Sequence, residues 1–109
     1  MLPIVVRADV LGSLEALCSE IEKIGGPGAR VKVIGKALGN ITESDVAQAA
    51  AAKGRIFGFG THALPPIAQL ARTRAVPIAT SKIIYDLLEQ IRVALEALLP
   101  EEVIREELG

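Results

Sequence analysis

Residues 3–24 read PIVVRADVLGSLEALCSEIEKI, and the fold turns on how this stretch is divided. Pro3 to Ala8 is β-branched and nearly continuous in apolar character, as a strand covered on both faces should be. Gly12-Ser13 opens a helix in which Leu14, Leu17, Cys18, Ile21 and Ile24 fall on one face at three- and four-residue spacing. Gly25-Gly26-Pro27-Gly28 stops it, because glycine readily takes the left-handed exit and proline cannot continue a helix. A strand followed by an amphipathic helix is a βα unit, and the remaining chain repeats it. Val31 to Gly35 is the second strand and Leu38-Gly39-Asn40 a turn. Thr42-Glu43-Ser44-Asp45 resembles a capping box at the head of a helix that runs to about Lys53 and is ended by Gly54. Arg55 to Phe59 is the third strand, and Pro65-Pro66 starts a short helix ending near Arg74. Val76 to Thr80 is the fourth strand, placed at a sheet edge by Pro77. Thr80 or Ser81 caps a last helix carrying Ile84, Leu87, Leu88, Ile91, Leu95 and Leu98 down to Pro100.

Four βα units in series predict an α/β fold: a three-layer α/β/α sandwich around a four-stranded parallel sheet, with right-handed crossovers. The last helix is long for such a sheet. Its seventeen residues from Ile83 to Leu99 span about 25 Å at 1.5 Å per residue, so Val93 to Leu99 is expected to project beyond the strands. Residues 1–99 then form one domain that includes the start of a long linker helix. Residues 100–109, acidic with Val103, Ile104 and Leu108 interspersed, read as a linker towards a following domain.

Composition narrows the function. The chain has 109 residues, half of them hydrophobic, and needs no staple to hold a core. Its three aromatic residues, Phe57, Phe59 and Tyr85, are too few for a base-stacking platform. Twelve Lys and Arg face thirteen Asp and Glu, so the net charge of −1 confines any nucleic-acid contact to a local patch. The single Cys18 can form no internal disulfide, lies among apolar neighbours in the helical pattern, and fits a reducing compartment. No run of about 18 apolar residues predicts a membrane span.

The motifs that carry chemistry elsewhere fall short here. His62 is the only histidine, in the loop after the third strand, with Asp9 and Thr61 as its plausible neighbours; it reads as an exposed loop residue. Gly58-Phe59-Gly60-Thr61-His62-Ala63 has the spacing of a dinucleotide fingerprint. Pro65 and Pro66 remove amides a phosphate would need, and no acidic residue stands about 20 positions on. The expected roles are close helix–sheet packing for Gly58 and a turn for Gly60. Gly35-Lys36 lacks the first glycine of a phosphate loop, since Arg30 stands there, and Ala37 follows the lysine. Basic residues are scattered at element ends: Arg30, Lys32, Lys36, Lys53, Arg55, Arg72, Arg74 and Lys82. Some could touch phosphates without reading sequence. Two further readings stay open: a small-ligand module at the crevice between the first and third strands, using Asp9 to Gly12 and Gly60 to His62, and a module dimerising through Val93 to Leu99.

Several blocks, taken in order, resemble one family. They are Arg7-Ala8-Asp9 with Gly12-Ser13-Leu14-Glu15-Ala16-Leu17, then Gly39-Asn40-Ile41-Thr42-Glu43-Ser44-Asp45-Val46, then Ile56-Phe57-Gly58-Phe59, then Ile83-Ile84-Tyr85-Asp86-Leu87. Together they are similar to the third domain of the shared core of bacterial-type translation initiation factor two. The family commonly has Asn-Val where this chain has Gly60-Thr61. The resemblance implies an α/β/α domain, not itself catalytic and without a cofactor, that couples an upstream GTPase domain to an initiator-tRNA-binding domain during ribosomal subunit joining. GTP and magnesium would belong to the upstream domain. It implies contact with the small ribosomal subunit and its rRNA, a monomer, no membrane, and a cytoplasmic or organellar-matrix setting. Candidate rRNA contacts are Lys36, Lys53, Arg72, Arg74 and Lys82. Ile84, Leu87 and Leu88 would anchor the linker helix.

Overall fold

The computed structural model describes residues 2–26 and 29–98. The elements are β1 (Leu2–Ala8), α1 (Leu11–Ile21), β2 (Gly25–Gly26), β3 (Ala29–Leu38), α2 (Glu43–Ala52), β4 (Arg55–Phe59), α3 (Pro65–Thr73), β5 (Ile78–Ser81) and α4 (Ile84–Leu98). The sheet order is β2-β3-β1-β4-β5. The four strands β3, β1, β4 and β5 are parallel, as the βα repetition requires. The two-residue β2 pairs antiparallel with the start of β3, an addition that the glycine run concealed. The expected stop at Pro27-Gly28, and the linker at residues 100–109, lie outside the described residues.

Two apolar layers flank the sheet. Leu2, Ile4, Val6 and Ala8 of β1 point to one side and pack with Leu14, Leu17, Cys18 and Ile21 of α1 and Leu87, Ile91, Ala94 and Leu95 of α4. Val5 points to the other side, with Val46 and Ala49 of α2 and Ala71 of α3. β1 is thus buried on both faces, which is why its sequence shows no polar alternation. The expected edge strand is found at β5, beginning after Pro77 rather than at Val76. β3 runs to Leu38 instead of ending at Gly35, because Gly35 to Leu38 go on pairing with Val5 to Ala8 beyond a register shift between Ile4 and Val5. The freed Ile34 carbonyl accepts a hydrogen bond from Gln48 Nε2 at 2.7 Å, so the irregularity leaves no orphaned acceptor.

Helix ends depart from expectation in instructive ways. α1 begins at Leu11 with Val10 as its N-cap, one residue earlier than Gly12-Ser13, and no side chain caps it. α2 has the capping box: Thr42 Oγ1 accepts from the Asp45 amide and Asp45 Oδ2 from the Thr42 amide. Its left-handed exit residue is Lys53, at φ 57°, not Gly54. Gly54 serves close approach instead, since a Cβ there would overlap the Pro3 carbonyl oxygen. Ser81 Oγ accepts from the amide of Ile83, the residue before α4, so Ser81 supports the helix start from two positions back.

α4 does not project at Val93. Ala94 and Leu95 are buried against the same core as Leu87, while Val93, Glu96 and Ala97 face water. The reason is strand length. Seven residues of β1 extend about 23 Å at roughly 3.3 Å each, which matches about 22 Å of a fifteen-residue helix. The extra residues in β1 and β3 give the helix a floor that the shorter expected strands would have lacked.

Candidate functional site

A parallel sheet has two unlike ends, and both are built from loops and helix termini. At the carboxyl end the loops are tied to one another. The Asp9 amide donates to the Phe59 carbonyl, Gly39 to Ala8, Gly60 to Ser81 and Ile41 to His62. Asn40 Oδ1 accepts from the His62 amide at 3.1 Å. Beneath them lies an ion pair: Arg7 Nε to Asp45 Oδ2 at 2.7 Å, with a second nitrogen 3.2 Å from Oδ1. The guanidinium also donates to the Leu38 carbonyl at 2.6 Å. One half-buried side chain thereby joins the end of β1, the end of β3 and the head of α2. This pairing spans 38 residues, so no local pattern announces it.

The crevice between β1 and β4, where doubly wound sheets commonly take ligands, is occupied by the chain itself. The Asp9 carboxylate lies against Gly60, whose φ of 68° makes the expected turn; a Cβ there would sit 2.7 Å from Asp9 Oδ2. Thr61 is buried over Gly58, where a side chain would strike its hydroxyl. Gly58 therefore makes room for Thr61 and not for a helix. His62 is exposed, as expected, and its backbone rather than its ring is engaged. Gly35-Lys36 lies within β3, with no loop for a phosphate. Among the described residues no cluster of three or more His, Cys, Asp or Glu could hold a metal ion. The Cys18 thiol is pushed up by burial, partly offset by Lys36.

The amino end differs. Here α2 and α3 terminate, and Lys53, Arg55 and Arg74 line one cavity of about 340 Å³ together with Leu2, Gly54 and Ala75. Among the described residues none of these three cations is paired with a carboxylate. Among the described residues, Lys53 and Ala75 are the two non-glycine residues with positive φ, both at 57°, and both line this cavity. Lys53 and Arg74 sit at helix carboxyl termini, where the backbone dipole favours a cation.

The five basic residues singled out in the sequence therefore do not form one patch. Lys53 and Arg74 come together, and Arg55 joins them. Arg72 lines a separate groove with His62 and Thr80. Lys36 borders a cavity of about 580 Å³ beside Cys18, and Lys82 lies at the opposite end, between β5 and α4. All five are exposed. Of the three expected anchor residues, Leu87 is fully buried while Ile84 and Leu88 are half-buried against the same core.

These features define a class: a doubly wound α/β/α domain whose switch-point crevice is closed by its own loops. The family model described as translation-initiation factor 2 matches residues 1–92. The translation initiation factor IF-2 of Dinoroseobacter shibae is 43% identical over 108 residues, covering 99% of this chain and 13% of the relative. That of Enterococcus faecalis is 43% identical over 99 residues, 91% of this chain and 12% of the relative. A crystal structure of GDP-bound aIF5B from Aeropyrum pernix matches with a TM-score of 0.73 at 28% identity, over 89% of this chain and 16% of that one. The chain belongs to the translation-initiation factor 2 family. It spans about an eighth of the length of the curated relatives it matches.

Proposed function

We propose that this chain is the coupling domain of a GTPase translation initiation factor, acting in the cytoplasm on the small ribosomal subunit. It transmits the nucleotide state of the GTPase domain to the domain that holds initiator tRNA during subunit joining, and it catalyses nothing itself. GTP and magnesium belong to the GTPase domain.

The observation that supports this reading best is the seating of α4. Leu87, Ile91, Ala94 and Leu95 bind the helix to the sheet and α1 along its length, so it cannot turn without moving the core. A rigid body with a helix fixed along it passes on displacement; a loosely hinged one would absorb it. Ile84, Leu87 and Leu88 anchor the base of that helix. Lys53 and Arg74, with Arg55, are the cations best placed for rRNA phosphates, because they converge and lack carboxylate partners. Lys36, Arg72 and Lys82 contribute at most isolated contacts.

The test is made in the full-length factor. Leu87→Ala should leave GTP binding intact and reduce the dependence of initiator-tRNA binding on GTP against GDP on small subunits. Undiminished nucleotide dependence with a verified loosening of α4 would overturn the reading.

A further inference from the structure

β3 is an edge strand for most of its length. Its inner side pairs with β1 from Val31 to Leu38. Among the described residues its outer side is paired only at Ala29 and Arg30, by the two residues of β2. From Val31 onward the outer side thus presents a free backbone edge, to which an extended peptide can add one more strand. A cavity of about 580 Å³ follows this edge from Arg30 to Lys36, with Cys18 and Ile21 of α1 in its wall. Val31 and Val33 make the wall more apolar. Arg30, Lys32 and Lys36 border it, all exposed and none in an ion pair among the described residues. Glu22 is the one carboxylate beside them.

The register shift decides where the two lysines stand. Lys32 aligns with Pro3 and Lys36 with Val6, so four steps of β3 are set against three of β1. In an unbroken strand, residues four apart share a face. Here they fall on opposite faces. Val6 packs on the α1 side, which puts Lys36 beside Cys18, and Lys32 is turned to the α2 side. Lysines on an edge commonly guard it against pairing, and a second copy is disfavoured in that way, since two such edges would set lysine against lysine. A nucleic-acid strand would meet the cations but leave the apolar wall and the backbone edge unused. An extended acidic peptide uses all three.

We propose that the outer edge of β3 is a docking site for an extended acidic segment of a partner protein, added as a further strand, with acidic side chains three residues apart so that one meets Lys36 on the α1 face and the other Lys32 on the α2 face. The site is independent of the coupling reading, since it uses neither pole and no part of α4.

The probes are fluorescein-labelled peptides of threonine and valine with two glutamates, set either three or two residues apart, and a version of the first with alternate backbone nitrogens methylated. Binding to the full-length factor is read by fluorescence anisotropy. The peptide with glutamates three apart should bind about ten-fold more tightly than its isomer, and methylation should cost it about ten-fold. It should also slow amide hydrogen exchange between Val31 and Lys36. Lys36→Glu, at an exposed site, should weaken that peptide by about ten-fold with an unchanged circular dichroism spectrum, and replacing one glutamate of the peptide by lysine should recover binding to the variant. Lys32→Glu, on the other face, is a second variant with the same expectation. Equal affinity for the two spacings, indifference to methylation, or no recovery by the charge-swapped peptide in either variant would overturn the proposal. Displacement of the peptide by an equimolar uridine oligonucleotide would overturn it in favour of RNA.

Discussion

The two ends of one sheet have been built to opposite specifications. The carboxyl pole is apolar with an acidic rim, and its loops are stitched by backbone hydrogen bonds over the Arg7–Asp45 pair. The amino pole is basic and closed by two helix termini, with Lys53 and Ala75 in left-handed backbone conformations. A bare βα topology makes no such distinction beyond the direction of its helix dipoles. The difference comes from side chains placed at turns, and turns carry function more often than core positions do. A domain that only filled space would need neither an exposed Tyr85 nor three converging cations.

The largest expected effect is at the largely buried ion pair beneath the carboxyl pole. Asp45→Ala removes the capping box and strands the Arg7 guanidinium, and should destabilise the chain by roughly 3–5 kcal/mol in urea unfolding. A loss below about 1 kcal/mol would mean that the loops of this pole hold themselves. Leu87→Ala empties a fully buried site under α4 and should cost roughly 2–5 kcal/mol, by the same measurement. An unchanged stability would detach α4 from the core and remove the basis for a rigid lever.

How much of this could be read from the sequence depends on range. The βα repetition, the capping box of Thr42 and Asp45, the edge position after Pro77 and the burial of β1 were legible, because each is written in residues at most a few positions apart. The Arg7–Asp45 pair was not, since its partners lie in separate elements and either could have faced water. The seating of α4 through Leu95 was also misjudged, because it depends on strand lengths fixed by pairing between β1 and β3, residues far apart in sequence. The same limit scattered the basic residues. Lys53 and Arg74 look no different in sequence from Lys82, yet the fold sends them to opposite poles.

That separation can be sharpened by charge. Lys53→Glu with Arg74→Glu in the full-length factor should weaken small-subunit binding and lower its logarithmic salt slope by about 2, near 1 for each lost phosphate contact. Lys82→Glu should leave the slope unchanged. Equal effects at both poles would erase the distinction. The smallest effect concerns backbone. Lys53→Gly relieves a left-handed non-glycine residue and should raise stability by about 1 kcal/mol in thermal unfolding, while weakening subunit binding. A gain in stability without loss of binding would show that the cation at this position does no work on RNA.

The division of labour between the poles is tested most directly by lysine reactivity in the full-length factor, with and without small subunits. Lys53 should become slow to react on their addition, and Lys82, at the opposite pole, should not. A Lys53 indifferent to subunits, or a Lys82 protected equally with it, would contradict the assignment of RNA contacts to the amino pole.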